Sequence, residues 1–167
     1  MITDLDSVNE EGRKCVPGRN QKQKSNNDTL KSWHPNKEDI DSLLDIPKLG
    51  RSTSDKPAPV FVAYQTPFTI GTVEVLARTF EDALILANFD NAYFQDVSEL
   101  KAAKTNFEDG TKHLSESLFD YVNNLSKGNF AFSCLFYISK SDKHSFITPE
   151  YISEGLAWLE KKLSPSQ

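Results

Sequence analysis

Cysteine is scarce in this chain: Cys15 and Cys134 are its only two, and they stand far apart. There is no C-x-x-C pair, which argues against a structural zinc site and fits a reduced, cytoplasmic protein. Histidine is almost as sparse. His34, His113 and His144 are scattered, and each reads as a surface or core residue rather than a ligand. No run approaches the ~20 apolar residues that a membrane helix needs, so no membrane partner is expected. The N-terminus lacks a basic region ahead of a long apolar core, so no signal peptide is expected. The glycine-rich pattern G-x-x-x-x-G-K-S/T is missing, which excludes ATP hydrolysis by a P-loop mechanism. Positive charge is not in excess. The formal net charge of -5 gives no overall attraction to nucleic acid, so such binding needs a local basic patch.

What is present is a globular composition. The 167 residues, 38% hydrophobic and 26% charged, are enough for one domain with a real core. The chain opens Met1-Ile2-Thr3-Asp4-Leu5-Asp6-Ser7-Val8, with apolar residues bracketing two acids spaced two apart. On a strand this spacing puts Asp4 and Asp6 on one face, because side chains alternate. Two carboxylates at the end of a short buried strand repel each other, and a divalent cation offsets that charge. Hard oxygen donors suit magnesium, manganese or calcium. The plainer reading makes Asp4 a turn residue and Asp6 an exposed cap, and the D-x-D spacing alone does not choose between them. A strand starting only three residues before Asp4 is expected to have sheet partners upstream.

Residues 9–24 read as a loop punctuated by Gly12, Pro17 and Gly18. Arg13, Lys14, Arg19, Lys22 and Lys24 make it basic after Glu10 and Glu11. Such a loop either holds a phosphate backbone or is simply solvated. Ser25-Asn26-Asn27-Asp28 offers N-caps for a helix through Leu30 and Trp33, stopped before Pro35. A second helix is expected over 37–45, with Ile40, Leu43 and Leu44 inward, ended by Pro47. Residues 48–58 read as a linker. The run 59–65 is the best strand, with the near-continuous apolar character of a strand buried on both faces. A short extended stretch is expected over 72–76.

A helix follows over 79–88, with Thr79 as N-cap and Asp82 in the capping-box position. Phe80, Ala83, Leu84 and Ala87 form its apolar stripe. Glu81 and Asp82 lie in its first turn, where the helix dipole alone accounts for acids. The stretch 89–110 reads as irregular, with a helical turn near 100–104. Another helix runs from Lys112 to Ser126, with Leu114, Leu118, Tyr121, Val122 and Leu125 at helical spacing. Lys127-Gly128-Asn129 is expected to break it before an apolar helix carrying Phe130, Ala131, Cys134, Leu135 and Ile138. After a polar turn over 139–146, a last helix starts with Pro149 in its first turn and runs to about Leu163. Ile152, Leu156 and Leu159 should face its core, with Trp158 at the edge. The fold class is α/β, rich in helix and poor in strands.

As a set, these stretches resemble a known family. Residues 2–8, then Ser25-Asn26 with Thr29-Leu30-Lys31, resemble the second half of a Toprim domain in the OLD (overcoming lysogenisation defect) endonucleases. Ala63-Tyr64-Gln65, the stretch 78–88, Lys127-Gly128-Asn129-Phe130-Ala131-Phe132 and the ending 149–159 resemble the same family's C-terminal region, in the same order. The resemblance implies a partial Toprim, Rossmann-like sheet over 1–66 and a helical part completing the nuclease region over 67–167. In that family an ATPase precedes a nuclease that holds magnesium or manganese and cuts DNA, in phage defence or DNA processing. Asp4 and Asp6 match its D-x-D metal ligands. Glu81, with Asp82 as understudy, matches a later metal-binding and catalytic acid. Lys127 matches the catalytic lysine, with Lys104 as a rival.

The chemistry stands without the family. Phosphodiester cleavage develops negative charge on the phosphoryl and leaving oxygens, and one or two metal ions, about 4 Å apart when paired, stabilise it. A lysine adds a compact positive charge beside the transferring phosphate. Two family features are lacking: the P-loop, and the glycine-flanked strand with the early metal-binding glutamate. Glu10, Glu11 and Glu74 are not in that context. The expected site is therefore incomplete in these residues. It would be completed by an upstream ATPase and first Toprim half, an intact relative, or a homodimer, and the chain by itself is expected to be weak or inactive. The competing expectation is a non-catalytic α/β interaction or regulatory module. A nuclease needs both aspartates on one exposed edge with Glu81 or Asp82 and Lys127 converging, whereas a module tolerates them paired with cations.

Overall fold

The computed structural model describes residues 1–53, 58–70, 73–98, 100–101, 114–140 and 145–164. Its contacts divide the chain into two units, Met1–Thr79 with Pro149–Gln167, and Phe80–Thr148. Lys104, Lys112, His113, His144, Gly71 and Thr72 lie outside the described residues, as do 102–110 and the middle of the expected turn at 139–146.

In the first unit, β1 (Ser7–Val8) pairs antiparallel with β2 (Lys24–Ser25). Two short helices follow, α1 (Asp28–Ser32) and α2 (Ile40–Leu44). Asn27 caps α1 by accepting from Thr29 N, and Asp39 caps α2 by accepting from Ser42 N. The Asp39 cap starts α2 later than the residue pattern suggests, because a capping aspartate holds non-helical backbone. After a 3₁₀ turn (Lys48–Arg51), β3 (Ser52–Thr53) pairs antiparallel with β4 (Val60–Phe61), so the expected linker carries a strand. On the other side of this run the N-terminus joins in parallel. Ile2 bridges Ala63, Thr3 N donates to the Ala63 carbonyl, and Ala63 N donates to the Met1 carbonyl. Val62, Ala63 and Tyr64 are completely buried, as their unbroken apolar run requires. β5 (Phe68–Ile70) and β6 (Val73–Val75) form a further antiparallel pair.

Leu5, Leu30, Ile40, Leu43, Leu44, Val62, Tyr64 and Leu76 make this unit's core. Tyr64 donates to the Leu43 carbonyl at 2.8 Å and lies under the Arg51 guanidinium, 4.3 Å from its ring centre. The last helix, α7 (Glu150–Leu163), packs here, but through a face one residue away from the expected one. Leu156 and Leu159 are exposed, and Tyr151, Gly155 and Trp158 turn inward instead. The reason is Gly155. A Cβ there would sit 3.1 Å from Ile2 and 3.2 Å from Ala63, tighter than ordinary contact, so glycine lets the helix approach this closely without pushing its neighbours back. Trp158 stacks on Phe61 one turn further on, with ring centres 5.7 Å apart.

The second unit is helical. It comprises α3 (Phe80–Ala87), α4 (Ala92–Gln95), α5 (Leu114–Asn123) and α6 (Lys127–Ser139), and Leu100 and Lys101 lie in a further helical turn. α3 buries residues all round, from Glu81 to Leu86, whereas the expected stripe residue Phe80 is half exposed. Lys127-Gly128-Asn129 does not break the chain but forms the first turn of α6. First-turn amides have no helical partner in any case, so glycine and asparagine are tolerated there. The break falls at 124–126 instead. On α6, Phe130 and Cys134 are buried, while Leu135 and Ile138 are exposed. Tyr93, Phe94, Tyr137 and Phe146 form one aromatic cluster, which Phe130 joins through Phe94. Asn88 clamps the stretch before α7, donating to the Ile147 carbonyl and accepting from Ile147 N. The result is a mixed α/β chain with few strands, and its named described strands all pair antiparallel. No described helix is long and apolar enough to cross a membrane.

Candidate functional site

The acidic start is a turn rather than a continuous strand. Strand pairing stops after Ile2 and resumes at Ser7, and Asp6 adopts the left-handed conformation with φ of 48°. One left-handed residue interrupts the alternation that would put Asp4 and Asp6 on one face. Aspartate is among the few residues that tolerate this conformation. The turn is nonetheless tightly specified. Leu5 N donates to Gln65 Oε1 at 2.7 Å, and the Leu5 carbonyl accepts from Ser25 Oγ at 2.6 Å. Asp6 N donates to the Arg78 carbonyl at 3.2 Å, and the Asp6 carbonyl accepts from Asn26 N at 3.0 Å. Asn27 Nδ2 donates both to the Asp4 carbonyl and to Thr3 Oγ1. Leu5, completely buried between the two acids, anchors them in the core.

The two carboxylates have different partners. Asp4 Oδ1 accepts from Gln65 Nε2 at 2.6 Å. Asp6 Oδ1 pairs with Arg78 Nη2 at 3.0 Å, and Arg78 Nε also donates to the Ser7 carbonyl at 3.2 Å. The Asp6 side chain keeps 37% exposure, so its carboxylate reaches water. Gln65, itself buried, has a third contact, a long 3.4 Å bond to the Tyr151 hydroxyl. Burial raises the nearby Cys15 thiol above its usual value.

The second unit brings two further candidates together. Lys127 Nζ lies 2.9 Å from Glu81 Oε2, although 46 residues separate them. Glu81 is nearly buried in the first turn of α3, and Lys127 is mostly exposed at the first residue of α6. Asp82 is buried beside Glu81 in the same turn.

The basic loop is ordered by side chains that its charge pattern does not announce. Asn9 Oδ1 accepts from Glu11 N and Arg13 N, closing a turn with Gly12 at φ of 76°. Gln23 is buried, donating to the Val16 carbonyl and accepting from Gly18 N. Four of the five cations sit beside acids: Arg13 with Glu11, Arg19 with Asp45, Lys22 with Glu10 and Lys24 with Glu38. These pairs are exposed, and such contacts are weak enough to open to a phosphate.

Gln65 and Arg78 are the functional candidates to which the residue pattern gave no role, and Asn27, expected only as an N-cap, also donates to the Asp4 carbonyl. A signal for the first was available: a polar residue ending a run of buried apolar ones needs partners. Among the described residues, no group of three or more His, Cys, Asp or Glu side chains gathers as a metal cage would. Magnesium does not require such a cage, because it keeps several waters and takes one or two carboxylates plus substrate phosphates. The oxygen donors of the turn fit a hard cation on that chemistry.

No family model matches the chain, and no solved structure matches it. The chain is 30% identical over 98% of its length to Endonuclease GajA of Bacillus cereus (strain HuB5-5). It spans 24% of that protein's length.

Proposed function

We propose that this chain is part of a metal-dependent DNA endonuclease of the OLD type, with Asp4 and Asp6 as ligands of a magnesium or manganese ion. The observation that carries the reading is the similarity to an endonuclease along nearly the whole chain, joined to an acidic turn whose backbone is pinned from four sides. A bound divalent ion would activate water and stabilise the charge that develops on the phosphate oxygens. The chain's own residues do the rest. Gln65 orients the Asp4 carboxylate, and the left-handed backbone of Asp6 aims its carboxylate toward solvent. Glu81 holds Lys127 at a helix start, where the ammonium offers positive charge to a phosphate. Glu81 is also the candidate for a further metal-binding acid. The basic loop would hold the DNA backbone without reading sequence. The remaining parts of the catalytic site would come from an upstream region carrying an ATPase and the first half of a Toprim domain, from an intact relative, or from dimerisation that completes the sheet.

Nicking of supercoiled plasmid in manganese tests this. The reading expects the chain alone to nick weakly or not at all, with any activity lost in Asp4→Asn. Robust nicking lost in Asp4→Ala would keep the nuclease and overturn its incompleteness. Robust nicking that survives in both variants would overturn the site.

One observation favours a second reading, a non-catalytic interaction module: Asp6 already has a cation in Arg78 and Asp4 an amide in Gln65. A module needs no metal at the turn, so metal binding separates the two.

A further inference from the structure

We infer that Arg78 is the resident counter-cation of the acidic turn: its guanidinium holds Asp6 while no divalent ion is bound and gives up that carboxylate when one binds. The inference rests on the metal reading above and adds the residue that sets the affinity. Three contacts from Arg78 converge on residues 6 and 7. Its carbonyl takes Asp6 N, its Nε donates to the Ser7 carbonyl, and its Nη2 meets Asp6 Oδ1 at 3.0 Å. The first two bonds go to backbone and fix the residue in place. The third goes to the carboxylate that a metal ion would take. A divalent ion and a guanidinium on one carboxylate would repel at short range.

The geometry suits a pivot. The Arg78 side chain is only 10% exposed, so its charge is costly to leave without a partner. The Nε bond to Ser7 can persist while the Nη2 end turns from Asp6. Asp6 is open on its solvent side, where an ion arrives with its waters. Metal binding and the Arg78–Asp6 pair therefore compete, and removing the competitor should strengthen binding.

Two measurements on the full chain test this. The first is manganese binding by calorimetry to the wild type, Arg78→Gln, Arg78→Lys and the Asp4→Asn/Asp6→Asn pair. Arg78→Gln should bind on the order of tenfold more tightly, as a coupling between two competing ligands predicts. Arg78→Lys should stay close to the wild type because it keeps the charge. The second uses the wild type alone, so it stands even if Arg78→Gln does not fold. The Nε–H resonance of Arg78, assigned by its loss in Arg78→Lys, is followed during a magnesium titration. It should shift with the midpoint of binding. Binding that needs Asp4 and Asp6 yet ignores Arg78→Gln, or a resonance unmoved at saturation, overturns the role of Arg78 and leaves the metal site standing. Absence of binding in every form, or binding equal in the aspartate double variant, overturns the metal reading and this inference with it.

Discussion

The two places that hold the candidate acids are built in opposite ways. In the first unit, Asp4 and Asp6 sit on a turn whose backbone is bonded at Thr3, Asp4, Leu5 and Asp6, with Leu5 buried between them. In the second, Glu81 and Lys127 lie in the first turns of two helices, joined by one ion pair with an exposed lysine. The first arrangement fixes direction through the main chain, and its geometry does not depend on the charges it carries. The second depends on a contact of the kind that salt and side-chain motion weaken. A phosphate can therefore re-partner the exposed Lys127 ammonium, whereas the aspartate turn is preorganised.

Substitutions can break or sharpen this contrast. The largest effect should come from Leu5→Ala, which empties a fully buried position and should cost about 2–5 kcal/mol in thermal unfolding. Gly155→Val pushes a side chain into Ile2 and Ala63, which carry the parallel edge of the turn. A loss of about 1–3 kcal/mol is expected, and no loss would mean that α7 does not hold the N-terminus down. Gln65→Ala leaves the buried amide of Leu5 without its acceptor, at about 1–3 kcal/mol. Lys127→Ala removes a mostly exposed partner and should cost about 1 kcal/mol or less. Equal losses for these last two would end the contrast between a pinned turn and a loose pair.

The smallest effect is with pH. Burial pushes Tyr64 above its usual value near 10, and burial does the same to Tyr93 in the other unit. The neutral phenol is favoured in the folded chain, so this stability is fully present below about pH 10 and is lost as pH rises through the raised value. Melting temperature should decline above about pH 10. Tyr64→Phe should remove part of that decline while losing the hydrogen bond to Leu43.

Much of the fold was legible because apolar pattern and caps act locally. The buried run 61–65, α1 behind its asparagine cap and α5 follow from spacing that the chain obeys, whereas α3 lies where it is expected but is buried beyond its expected stripe. α7 was placed correctly but turned the wrong way. A leucine stripe predicts the buried face only if bulk decides, and here a glycine permits a closer approach that leaves the leucines outside. The β3 strand within the expected linker was invisible because its partner, not its own composition, makes it a strand. At the candidate site, the residue types Asp4, Asp6, Glu81 and Lys127 were legible, and so was nothing of what holds them. The left-handed Asp6, the Gln65 amide and the Arg78 pair are long-range choices, with partners about 60 to 70 residues away. Such contacts leave no periodicity to read.

The most direct test of the central claim is manganese binding by calorimetry to this chain and to its Asp4→Asn/Asp6→Asn form. Asparagine also tolerates the left-handed backbone at position 6, so the turn should survive while the charge goes. Binding in the wild type that disappears in the double variant, while that variant still unfolds cooperatively, is the predicted result. Identical binding in the two, or none in either, would contradict a metal site at the acidic turn.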